Sequence, residues 1–167
     1  CLEEKFPSPS TMPTVTIVIP YLTESWFHIK ATVASLVWAT NMDLLDEVRF
    51  IDDANEEAHK FRSEMEALHP KVRVISNQKR LGLTRSKVVG AQSATSPVLI
   101  FLEPHCIFAP GWLEPLLARI REDRTRLVVP SIDGIGTEEF EYTVFGLGLV
   151  SFKWTLAQSA RERPEGV

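Results

Sequence analysis

The chain lacks most of the features that would classify it at once. Its 167 residues hold two cysteines, Cys1 and Cys106, with no Cys-x-x-Cys pair and no histidine-rich cluster, which argues against a structural zinc. There is no basic surplus: 18 Lys and Arg stand against 22 Asp and Glu, a net charge of -4, so nucleic acid and anionic membrane are poor partners. No apolar run approaches the ~18–20 residues that span a bilayer. The N-terminus lacks the charged, apolar and small-residue segments of a secretory signal. No Gly-x-Gly-x-x-Gly follows the first strand, and neither a P-loop nor a Gly-x-Ser-x-Gly elbow occurs, so three common α/β enzyme classes lose their signatures. What remains is an ordinary globular composition, 44% hydrophobic and 24% charged. A single domain of this length buries roughly 70% of its unfolded surface.

Hydrophobic periodicity gives the organisation. Residues 1–13 carry prolines among serine and threonine and read as an extended arm. Residues 14–133 alternate strands with helices. Val15 to Ile19 is a short β-branched run ending at Pro20. Ile29, Val33, Leu36 and Val37 lie on one face of a helix within Glu24–Thr40. Val48 to Ile51 is a second strand closed by Asp52-Asp53, and Phe61, Met65 and Leu68 mark a helix that Pro70 stops. Val72 to Ile75 is a third strand. A helix follows from about Thr84 to Ala94, weakened at Gly90 by roughly 1 kcal/mol. Val98 to Leu102 is a fourth strand, Leu113 to Ile120 a fourth helical face, and Leu127-Val128-Val129 a fifth strand candidate. The alternation predicts an α/β fold with a mostly parallel sheet and right-handed crossovers. From 134 to 167 glycines interrupt apolar and aromatic residues, and the segment reads as loop-rich.

Chemistry gathers where strands end. In an open parallel sheet, ligands bind beyond the carboxyl edges of the strands. Here those edges carry Pro20-Tyr21-Leu22, Asp52-Asp53, Asn77 and Glu103-Pro104-His105. Glu103 and His105 offer an oxygen and an imidazole donor, a pair that suits Mn and its neighbours. The plainer alternative is a solvated Glu103 with His105 packed on Trp112. Asp52-Asp53 can equally begin a turn and cap the next helix. The loop from Asn77 to Gly82 contributes Lys79 and Arg80 just before a helix N-terminus, where anions are favoured. Together the edges suit a nucleoside diphosphate held by a metal and an arginine.

Five segments, in order, are Val15–Pro20, Phe50-Ile51-Asp52-Asp53-Ala54, Arg80-Leu81-Gly82-Leu83-Thr84-Arg85-Ser86-Lys87, Phe101-Leu102-Glu103-Pro104-His105-Cys106, and Gly111 to Ile120. They are followed by Pro130-Ser131-Ile132-Asp133, Phe140-Glu141-Tyr142 and Phe152-Lys153-Trp154. This series closely resembles the polypeptide N-acetylgalactosaminyltransferases over nearly the whole chain. The resemblance implies a Rossmann-like glycosyltransferase-A sheet that binds a nucleotide sugar, with helices on both faces, incomplete at the C-terminus. It implies transfer of GalNAc from UDP-GalNAc to Ser or Thr of an acceptor protein, with retention and with Mn2+. It also implies a Golgi-lumen setting, with any membrane anchor outside this chain.

By the same resemblance, Asp53 reads the uracil, Arg80 approaches the nucleotide, and Glu103 and His105 are metal ligands, with Glu103 also on the nucleotide. No nucleophilic side chain is implied. The third protein ligand, a histidine, and the acceptor groove are expected in a second catalytic half that residues 134–167 begin, so this chain alone is expected to be inactive. Three departures sit on the donor side. Glu103 replaces Asp and adds a bond of roughly 1.5 Å, Pro104 replaces a small residue, and Pro20-Tyr21-Leu22 replaces Thr-x-His. They support an alternative: an inactive relative that acts as a binding or regulatory partner in the secretory pathway.

Overall fold

The computed structural model describes residues 5–136, 141–145, 148–153, 155 and 158–162, with backbone alone for 148–152 and 158–162. Cys1, Phe140 and Trp154, all singled out above, lie outside the described residues. The chain divides into two compact units, residues 1–127 and 128–167.

The first unit is a four-stranded, wholly parallel sheet in the order β3-β2-β1-β4. Its strands are β1 (Val15–Tyr21), β2 (Leu45–Asp52), β3 (Val72–Ser76) and β4 (Val98–Phe101). Between and after them run α1 (Trp26–Ala39), α2 (Arg62–Leu68), α3 (Leu83–Gln92) and α4 (Leu113–Glu122). β1 is buried along its whole length because both faces of the sheet are covered. Side chains alternate across a strand. Val15, Ile17, Ile19 and Tyr21 therefore join one core with Ile29, Val33 and Leu36 of α1, Met65 of α2 and Leu113 and Leu117 of α4. The opposite face belongs to α3. A Cβ on Gly90 would stand 2.3 Å from Val18 Cγ1 and 3.2 Å from Ile51 Cδ1, so the bare glycine lets α3 lie directly on β1 and β2. The helix-weakening residue of the sequence is thus a packing requirement.

Local signals set the ends. Ser25 caps α1, accepting the Phe27 N–H at 3.2 Å. α2 stops at Leu68, two residues before Pro70. α4 carries Glu114 in its first turn and Arg119 and Arg121 in its last, each at the favourable end of the helix dipole. The parallel sheet with helices on both faces is as expected. One strand candidate is not: Leu127–Val129 is irregular. Three apolar residues carry strand propensity, but a strand exists only where a neighbour takes its hydrogen bonds.

In the second unit, β5 (Gly134–Ile135) pairs antiparallel with β6 (Tyr142–Thr143), and β7 (Gly148–Phe152) with β8 (Gln158–Glu162). Asp133 ties the first pair, accepting hydrogen bonds from the Tyr142 hydroxyl and, at 2.9 Å, from the Phe145 N–H.

Candidate functional site

The sheet order places β2 and β3 on one side of β1 and β4 on the other, so the strand order reverses between β1 and β4. A crevice opens there, at the carboxyl ends. It is a cleft of about 280 Å³ lined by Pro20, Tyr21, Leu22 and Glu24 after β1 and by Asp53 after β2. The loop into α3 adds Arg80, Gly82, Leu83 and Ser86, and the end of β4 adds Glu103, Pro104 and His105. All four residues singled out in the sequence, Asp53, Arg80, Glu103 and His105, line it. A hollow of about 330 Å³ between residues 5–7 and the end of α4 contains no strand end.

The β2 end is a closed network. Asp52 accepts the Asn55 N–H and side-chain amide, each at 2.8 Å, and the Ser76 hydroxyl at 3.0 Å. Asn55 in turn donates to the Tyr21 carbonyl at 3.2 Å and accepts the Thr23 N–H at 2.6 Å, tying the ends of β1 and β2 together. Thr23 (φ 54°) and Ala54 (φ 60°) both hold left-handed backbone here, strained for residues with a Cβ. Asp53 accepts from Asn77 Nδ2 at 2.9 Å and from the Leu81 and Gly82 N–H groups at 2.8 and 2.9 Å. Burial pushes its carboxyl up. The hydrogen bonds from Leu81, Asn77 and Gly82 outweigh that and hold it below the ordinary aspartate value. The anion at the N-terminus of α3 is therefore Asp53 itself. The Ser86 hydroxyl adds a fourth interaction with this carboxylate, so its acceptor positions, about four, are satisfied from within the chain. Gly82 caps α3 at φ 83°, a conformation suited to glycine.

The β4 end is built differently. Pro104 is buried, and the side chains on either side of it are exposed. Thr32 of α1 donates to the Pro104 carbonyl at 2.8 Å and accepts the Cys106 N–H at 3.0 Å, so one buried hydroxyl clamps the backbone on both sides of His105. Glu103 Oε1 lies 3.7 Å from Lys87 Nζ, a loose pair with the carboxylate 51% exposed. His105 Nδ1 lies 2.9 Å from Glu24 Oε2. The other oxygen, Oε1, takes His28 Nδ1 at 2.8 Å and the Ser25 N–H at 2.9 Å. Burial raises the Glu24 carboxyl, but the His105 and His28 bonds prevail and lower it. Trp112 packs on Phe108 and donates to Thr40, so the alternative of His105 packed against Trp112 does not hold. Arg80 is exposed and makes no hydrogen bond or ion pair among the described residues, which leaves its guanidinium available to an anion. Cys106 is a free, half-buried thiol whose pKa burial pushes up, an unreactive setting.

Three contributors escaped the sequence reading. Glu24 and Thr32 reach residues 81 and 72 positions away, respectively. Asn55 acts by tying the ends of β1 and β2, a role that exists only once the two strands pair. Among the described residues no group of three or more His, Cys, Asp or Glu side chains is arranged to hold a metal ion. Glu103 and His105 suit a divalent cation in type, and they could offer two donors toward its shell.

A parallel sheet with an acid-and-imidazole cleft at its switch point, beside an arginine-bearing loop, is a fold of the glycosyltransferase-A class. The model of Glycosyl transferase family 2 matches residues 16–164. Polypeptide N-acetylgalactosaminyltransferase 6 of Homo sapiens is 38% identical over 145 residues, 85% of this chain and 23% of that protein. Polypeptide N-acetylgalactosaminyltransferase 3 of Drosophila melanogaster is 33% identical over 161 residues, 94% of this chain and 24% of that protein. Among solved structures, GalNAc-T7 with UDP, GalNAc and Mn2+ superposes with a TM-score of 0.85 at 30% identity, over 93% of this chain and 30% of that one. The chain belongs to glycosyl transferase family 2, in its polypeptide N-acetylgalactosaminyltransferase branch. It spans about a quarter of the length of the two relatives.

Proposed function

We propose that this chain is the donor-binding part of a polypeptide GalNAc-transferase that works in the Golgi lumen, anchored to the membrane by a segment outside this sequence. It binds UDP-GalNAc, and the protein of which it is part passes GalNAc to Ser or Thr of an acceptor protein with retention at the anomeric carbon. The observation that carries this reading is the convergence of Asp53, Arg80, Glu103 and His105 on one cleft from three separate segments. Asp53 stands on the uracil side of the cleft, where a uracil N–H would replace one of its present donors, and Arg80 stands on the diphosphate side. Glu103 and His105 hold Mn2+, with Glu103 exchanging Lys87 for the ion. A cation bound there supplies the countercharge that a diphosphate leaving group needs. Residues 14–133 form the donor domain, and residues 134–167 begin the second catalytic half.

Calorimetric titration of UDP into the full-length protein tests the reading. UDP is expected to bind in the presence of MnCl2 and to weaken strongly in EDTA. Absence of Mn-dependent UDP binding would sink it.

A second reading has its own support. Leu22 brings no hydrogen-bonding side chain to the cleft, and Lys87 sets a competing positive charge 3.7 Å from the Glu103 carboxylate. Both fit an inactive relative that serves as a binding or regulatory partner in the secretory pathway. Glu103→Asp combined with Leu22→His then creates or raises transfer. Full activity of the unmodified full-length protein rules this reading out.

A further inference from the structure

Three of the four histidines in the chain meet at Glu24, two at its carboxylate and one at its backbone carbonyl. His59 Nδ1 lies 3.2 Å from the Glu24 backbone carbonyl and fixes where the residue sits. His28 and the Ser25 N–H occupy Oε1. Oε2 takes His105 alone among the described residues. Glu24 is far better buried than its partner: the side chains are 14% and 55% exposed. The carboxylate is therefore the fixed member of the pair, and the imidazole is the one being oriented.

An ionised carboxylate only accepts hydrogen bonds, so the proton of this contact belongs to the imidazole. In neutral His105 that proton sits on Nδ1, and the lone pair is on Nε2. Metal-binding histidines commonly show this arrangement, with the second ring nitrogen donating to a carboxylate that sets tautomer and orientation.

We propose that Glu24 is the positioning residue of His105: its carboxylate holds the Nδ1–H tautomer and turns Nε2 into the nitrogen that ligates a divalent cation in the cleft. This rests on the reading of His105 as a cation ligand given above. Thr32 completes the device by fixing the backbone on both sides of the imidazole, so ring and chain are anchored independently.

The test has two readouts on the full-length protein. Nitrogen-detected NMR of histidine-labelled, metal-free samples gives the tautomer of His105. Electron paramagnetic resonance of free Mn2+, titrated as MnCl2 in the presence of UDP, gives cation affinity. The wild type is expected to show His105 as the Nδ1–H form. Glu24→Ala releases it to a mixture of tautomers and weakens Mn2+ binding by roughly 10–100-fold. Glu24→Gln keeps the size and one acceptor oxygen, so it gives a smaller loss should the alanine variant unfold. His28→Ala leaves the His105 tautomer unchanged. An unaltered tautomer in both Glu24 variants overturns the inference. So does unchanged Mn2+ affinity in those variants while His105→Ala abolishes binding, a result that leaves the donor-site reading intact. Equal Mn2+ binding by wild type and His105→Ala removes both.

Discussion

The two sides of the cleft hold their acids in opposite ways. At the β2 end, Asp52 and Asp53 are buried and accept hydrogen bonds from Asn55, Ser76, Asn77, Leu81, Gly82 and Ser86. At the β4 end, Glu103 is half exposed and paired loosely with Lys87, and His105 depends on one carboxylate. Charge-assisted bonds to buried carboxylates stabilise a fold, whereas an exposed ion pair contributes little. The β2 side therefore belongs to the architecture as much as to ligand binding. The β4 side is free to exchange partners, which is what a cation site requires.

Substitutions sharpen the contrast. The largest expected effect is Asp53→Ala, which strands two backbone N–H groups and the Asn77 amide. A loss of about 3–4 kcal/mol is expected from denaturant unfolding, with one or two of those donors recovering water. A loss under about 1 kcal/mol would mean that the loop before α3 is held by something else. Next comes Thr32→Val, nearly isosteric, which leaves the Pro104 carbonyl and the Cys106 N–H without their partner. It is expected to cost about 2 kcal/mol and to broaden the His105 NMR signals.

Acid acts on both sides in the same sense. The folded-state pKa values of Asp53 and Glu24 lie below those of the unfolded chain, about 3.9 and 4.3. The unfolded chain thus takes up protons first as pH falls. Stability from both groups is fully present above about pH 5 and declines as pH drops through 4 and below. In Asp53→Ala the remaining decline is expected to be shallower, measured as unfolding free energy against pH. The smallest effect is Glu103→Ala, within about 0.5 kcal/mol of wild type, because an exposed pair is removed. A cost comparable to Asp53→Ala would erase the difference between the two sides.

The sequence made one of these sides much easier to read than the other. Apolar runs located β1 to β4, and the polar residues at their ends brought Asp53, Arg80, Glu103 and His105 into view, because those signals are local. β2 starts earlier than its apolar run, at Leu45, since a central strand takes its length from its neighbours' hydrogen bonds. Glu24 and Thr32 stayed hidden because their roles depend on α1 lying beside the end of β4, a consequence of sheet order. Leu127–Val129 misled for a related reason: composition proposes a strand, and only a partner makes one.

The central claim is that the β4 end is a cation-dependent donor site. UDP affinity of the full-length wild type and of His105→Ala, each with MnCl2 and with EDTA, tests it most directly. A large gain from Mn2+ in the wild type that disappears in His105→Ala is the predicted result. An equal gain in both proteins, or none in either, would contradict it.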